Sequence, residues 1–135
     1  MPKTEEEPAS TWGLPPEVEG WLRETVPGEE VRAVQHVDLH GPGHFGDAWV
    51  IATDDSLVSV RWDSDGLKLG LRVGLEEVEG VELREFVGNG RLETTVGGQS
   101  KPLARFTRSL ARDVEATARE IVRLASEKRE RLGLA

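Results

Sequence analysis

Between Glu30 and Phe106 the side chains alternate apolar and polar in seven short runs, each closed by a cluster rich in Gly, Asp, Asn or Pro. A period of two is the mark of a half-buried β-strand. The gaps are hairpin-sized, and parallel neighbours would need a crossover of a dozen or more residues, so the strands are expected to form an antiparallel meander. The runs are Val31–Leu39, Asp47–Thr53, Ser56–Trp62, Leu67–Val73, Val78–Phe86, Arg91–Val96 and Lys101–Phe106. In the first, Val31, Ala33, Gln35, Val37 and Leu39 share the core face. In the fourth, Leu67, Leu69, Leu71 and Val73 do so, with Lys68 and Arg72 outward. Val81 and Leu83 point inward in the fifth.

The punctuation between runs carries turn chemistry. Gly41-Pro42-Gly43-His44-Phe45-Gly46, Asp54-Asp55 and Ser64-Asp65-Gly66 read as the first three turns. Asn89-Gly90 predicts a type I′ hairpin, because both residues tolerate positive φ, and Gly97-Gly98 repeats the device. Seven twisted strands do not stay flat; they curl into two near-orthogonal sheets with an open corner.

The period changes at both ends of the chain. Pro15-Pro16 opens a helix in which Val18, Trp21, Leu22, Thr25 and Val26 share one face, and Pro27-Gly28 ends it. Beyond Thr107, Leu110, Val114, Ala118, Ile121 and Ala125 lie on one face of a long helix that can plug the open corner, with Arg108, Arg112, Arg119 and Arg123 off that face. Four units follow: a disordered lead-in over 1–11, the amphipathic helix over 12–28, the β-rich domain with its closing helix over 29–126, and a charged helical tail or linker over 127–135, which is expected in water.

The chain has 135 residues, enough for one hydrophobic core. Its formal charge is −8, and the negative excess lies in residues 1–106, while residues 107–135 are net basic. An acidic body repels phosphate polyanions, so nucleic acid is excluded as a partner and direct lipid binding is disfavoured. Cysteine is absent, which removes disulfides and thiolate metal sites. No apolar run approaches the roughly 20 residues of a membrane span, and the acidic N-terminus lacks the pattern of a signal peptide. A cytoplasmic domain is expected on these grounds.

The order of elements resembles the pleckstrin-homology (PH) superfold over about residues 30–130. Trp49-Val50-Ile51-Ala52-Thr53-Asp54-Asp55-Ser56-Leu57-Val58 is similar to a bacterial PH-domain signature, in which an apolar strand meets Thr-Asp/Asn, two basic residues and a second apolar run. Here Asp55 and Ser56 stand at the two basic positions. A narrower resemblance is to the PH-like cytoplasmic region preceding the membrane domain of some bacterial ATP-binding-cassette (ABC) exporters. It rests on Leu14-Pro15-Pro16-Glu17-Val18, Gly28-Glu29-Glu30-Val31, His44-Phe45-Gly46, Phe86-Val87-Gly88-Asn89-Gly90-Arg91-Leu92-Glu93 and Leu103-Ala104-Arg105-Phe106-Thr107-Arg108. These resemblances imply a mainly β fold (α+β by content): a PH-like seven-stranded antiparallel two-sheet barrel, capped by a C-terminal helix, with an extra N-terminal helix. They imply no catalytic residue and no cofactor.

Several constellations invite chemistry. His36, Asp38 and His40 share a strand face with His44 nearby, a set suited to zinc. Same-face neighbours roughly 7 Å apart are awkward ligands for one ion, so a solvated face is expected and no metal. The loop at 40–46 has no Lys or Arg, which argues against an inositol-phosphate cradle. Glu76, Glu77, Glu79, Glu82 and Glu85 read as a solvated edge rather than an acid–base pair. Trp12, Arg112, Arg119 and Arg123 are the candidate interaction surface. The expected function is a non-catalytic interaction or regulatory domain, the cytoplasmic N-terminal part of an ABC-type exporter at the inner face of the membrane. Its partner is then a protein or the adjoining domains of its own chain. The alternative is a freestanding bacterial PH domain that binds a protein or a lipid headgroup.

Overall fold

A computed structural model describes residues 12–39 and 45–134. The expected lead-in over 1–11, together with His40 and His44, lies outside them.

The helix α1 (Pro16–Thr25) precedes seven strands: β1 (Val31–Leu39), β2 (Phe45–Thr53), β3 (Ser56–Asp63), β4 (Gly66–Gly74), β5 (Val78–Phe86), β6 (Asn89–Val96) and β7 (Gln99–Thr107). The helix α2 (Ala111–Arg131) closes the chain. Every pairing is antiparallel, in the order β4-β3-β2-β1-β7-β6-β5. Among the described residues β1 and β7 pair at Leu39↔Arg105, so β1–β4 and β5–β7 form two sheets hinged at that corner. Thr107 reinforces the hinge by donating its N–H (2.9 Å) and its hydroxyl (2.6 Å) to the Asp38 carboxylate.

The barrel core joins Val37, Val50, Leu57, Leu92 and Phe106 to Val114, Ala118, Ile121 and Ala125 of α2, all buried. The plug expected of α2 is therefore the observed packing. α2 carries Asp113 in its first turn and Lys128, Arg129 and Arg131 in its last, which complements the helix dipole. A second cluster lies on the opposite face of β1–β4, where Leu14, Val18, Leu22 and Val26 pack on Trp49, Ile51, Val58 and Val60. Trp21 is half-buried against the same cluster. Consequently β2 and β3 are apolar on both faces.

Three expectations are corrected. The β5–β6 turn is Val87-Gly88, not Asn89-Gly90: Phe86 pairs with Asn89, and Gly88 has φ +82°. Gly90 is inside β6 because the buried Phe106 ring lies against its backbone, where a Cβ would come within 2.5 Å of the ring. Leu69 is not in the core but 49% exposed. Ser59 pairs with Leu71 and Val60 with Leu69, which leaves Gly70 as a bulge. That extra residue shifts the alternation, so Leu71 and Val73 pack on the barrel core while Leu67 packs on the α1 cluster. Finally, the tail is the helical end of α2, but Lys128 within it, expected in water, is buried.

Candidate interaction surface

The β2–β3 turn is organised by Thr53, whose buried hydroxyl oxygen accepts the N–H groups of Asp55 (3.1 Å) and Ser56 (2.8 Å). It donates in turn to Glu29 Oε1 at 2.5 Å. The Asp55 carbonyl accepts from Leu75 N–H and from Lys128 Nζ, each at 2.9 Å. Lys128 Nζ also lies 2.6 Å from Glu76 Oε1. Burial pushes the Lys128 ammonium down, but its bonds to Glu76 and Asp55 prevail and hold it above the ordinary lysine value. The bond from Lys128 holds Glu76 below the usual carboxylate range. Arg129 donates to the Val78 carbonyl and Arg131 to that of Asp54. The signature stretch at 53–56 thus serves as a dock for the end of α2. Glu29, Asp54 and Asp55 bring carboxylates within 4.8 Å of one another, and Lys128 Nζ lies 3.4 Å from that of Asp55.

The candidate residues border two clefts that share Arg123. Trp12 is 42% exposed and borders a cleft of about 810 Å³ with Glu30, Asp54, Arg123, Glu127 and Arg131. Arg112, Arg119 and Arg123 line another groove, between α2 and β5, over Val81, Leu83 and Val122. Two of these arginines are engaged along the helix: Arg119 faces Glu115 at 3.4 Å, and Arg123 binds Glu120 and Glu127.

His36 and Asp38 do not converge on a shared ion site. His36 Nε2 lies 2.7 Å from Asp47 Oδ1, and its ring tilts against Trp49 with centroids 5.5 Å apart. Asp38 is held by Thr107 as described. Burial would raise the Asp38 carboxyl, yet the Thr107 bonds bring it below its ordinary value.

A further group was not singled out from sequence. Arg84 of β5 pairs with Arg91 of β6, and Arg91 pairs with Arg105 of β7. Three arginines therefore stand in one row across three strands. Glu93, two residues along β6, is buried on the same face. Its Oε1 accepts from Arg84 Nε (2.7 Å) and Ser100 Oγ (3.0 Å), and its Oε2 lies 2.5 Å from Arg91 Nε. The Arg84 bond is the main reason the Glu93 carboxyl is held below its usual range. The Arg91 guanidinium also sits over the Phe86 ring, 5.7 Å from its centroid. The signal for this row lay in the turn. Counting outward from Val87-Gly88 puts Arg84 opposite Arg91, whereas counting from Asn89-Gly90 does not.

No protein-family model matches the sequence, and no curated protein matches it. Among solved structures it is similar to a DUF1696-family protein with a pleckstrin-homology domain from Shewanella loihica PV-4. The TM-score is 0.51 and the identity 13%, over 77% of this chain and 95% of that one. At that identity the likeness is one of fold: the chain has the fold of a pleckstrin-homology-like domain.

Proposed function

We propose that this is a non-catalytic PH-like interaction or regulatory domain, working as the cytoplasmic N-terminal part of a bacterial ABC-type exporter. The observation that carries the non-catalytic reading is the engagement of four buried polar side chains within the framework. Glu93, Thr53, Lys128 and Gln35 all bond within the framework, Gln35 through Thr117 at 2.7 Å. A catalytic group has to be poised for substrate, and these groups are occupied in holding turns, sheets and helix together. The exporter context is supported by the ordered sequence stretches that open α1, cross the β5–β6 hairpin and end β7. Recognition by surface contact follows, and the acidic charge favours protein over lipid or nucleic acid.

The test is genetic and biochemical. The expected reading frame continues past Ala135 into membrane-spanning segments and an ATP-binding domain, and the isolated domain binds that protein's cytoplasmic parts. A stop directly after Ala135, with saturable binding to phosphoinositide vesicles, would favour the freestanding headgroup-binding alternative.

A further inference from the structure

Like charges directly opposite one another across a sheet are destabilising, so an in-register Arg84–Arg91–Arg105 row is costly without a counter-charge. Glu93 answers only part of it. It reaches Arg84 and Arg91, and among the described residues no carboxylate reaches Arg105. The contacts to Glu93 run through Nε, and among the described residues no hydrogen bond or ion pair engages the terminal nitrogens of either guanidinium. The Arg84 and Arg91 side chains remain 55% and 31% exposed. Beside the row, at the hairpin tip, Phe86 is half exposed and Val87 fully exposed.

We infer that this outer face of β5–β6–β7 docks an acidic segment of a partner protein, gripped by Arg84, Arg91 and Arg105 and flanked by Phe86. Adjacent strands are about 4.8 Å apart, so the three guanidiniums span roughly 10 Å, within reach of two or three carboxylates on an extended segment. Guanidinium forks bind carboxylates bidentately, and the Glu93 clamp fixes two of them in advance. The exposed Phe86 and Val87 select a segment that carries an apolar side chain beside its acidic ones. A short segment senses the local row, because charges beyond roughly 8 Å are screened at physiological salt. A broad anionic bilayer faces the acidic body as well, which favours the peptide. The inference rests on the protein-interaction reading above and names its surface.

Fluorescence anisotropy of the 135-residue chain with a labelled short peptide, glutamates alternating around one phenylalanine, tests it. Expected is saturable, salt-sensitive binding that weakens about tenfold or more in Arg84→Gln/Arg105→Gln and is unchanged in Arg72→Gln, at an exposed arginine of β4. Among the described residues the Arg105 side chain makes no bond, so Arg105→Gln alone keeps the fold and still weakens the peptide. The same peptide with glutamine for glutamate should not bind. Peptide affinity equal in wild type and the arginine variants overturns this surface and leaves the interaction reading standing. Vesicles of phosphatidylcholine and phosphatidylserine bound in place of the peptide overturn both, and no binding to either overturns the docking inference.

Discussion

Lys128 Nζ lies 2.6 Å from Glu76 Oε1 and 2.9 Å from the Asp55 carbonyl, so one side chain in the last turn of α2 ties the β2–β3 turn to the β4–β5 turn. A lysine used in this way is part of the fold. Its four-carbon stem fills a place along the core face while its ammonium reaches acceptors at the rim.

Removing residues 127–135 should therefore lower the unfolding midpoint. Lys128→Ala alone should cost about 1–3 kcal/mol, since it strands Glu76 and one lone pair of the Asp55 carbonyl. Denaturant melts of the two variants check this, and an unchanged midpoint in both would show that the tail is dispensable.

The carboxylates set the acid limb of stability. Glu76 and Glu93 titrate below their unfolded value of 4.5, and Asp38 below 3.8. Their contributions are complete above those unfolded values and are lost as pH falls through the folded ones. Lys128 is shifted the other way, so its contribution is complete below 10.5 and is lost as pH rises through its folded value. Thermal melts should show a plateau at neutral pH with a fall at each extreme. Glu93→Gln should flatten the acid limb, and an unchanged limb would remove Glu93 from the linkage.

The β4 bulge predicts unequal costs for two leucines in one strand. Leu71→Ala should cost about 1–3 kcal/mol, because Leu71 packs on the barrel core. Leu69→Ala should cost less than about 1 kcal/mol, since half of that side chain is already in water. Equal losses would refute the register shift at Gly70.

Two glycines of the second sheet should answer differently to a methyl group. Gly90→Ala drives a Cβ into the Phe106 ring and should cost about 1–3 kcal/mol. Gly80→Ala meets nothing within 4 Å and should be near neutral or slightly stabilising. Chemical denaturation of both variants checks the pair.

The seven strands and both helices were legible because each repeats its period over several residues. Val18 and Leu22 marked the buried face of α1, and Val114, Ala118 and Ile121 that of α2. What escaped was any feature fixed by a single residue. Asn89-Gly90 carries the stronger hairpin chemistry, yet the closeness of Phe106 requires Gly90 inside the strand. Gly70 carries no mark of a bulge, because the mark is the Ser59 side chain of another strand, whose hydroxyl oxygen would lie 2.6 Å from a Cβ there. Lys128 sits in a run of charge, and only the fold brings Glu76 and Asp55 to it. The arginine row depends on both the β5–β6 turn and a bulge in β7, where Leu92 faces Ala104 but Glu93 faces Pro102. Without that skipped residue, Arg91 would face Ala104 instead of Arg105.

Trp12 and Arg131 border the same cleft, so the two ends of the described fold are neighbours. A polypeptide threaded through this domain would arrive and depart on one side. Tension drawn between residues 12 and 131 would then peel the structure from its rim instead of shearing the strand ladders along their length. The first load would fall on the packing of α1 and on the last turn of α2, and the strands would feel it only after the Lys128 fastening gave way. That turn is the mechanical fuse of the domain: a pull would detach α2 while the sheets it seals were still paired.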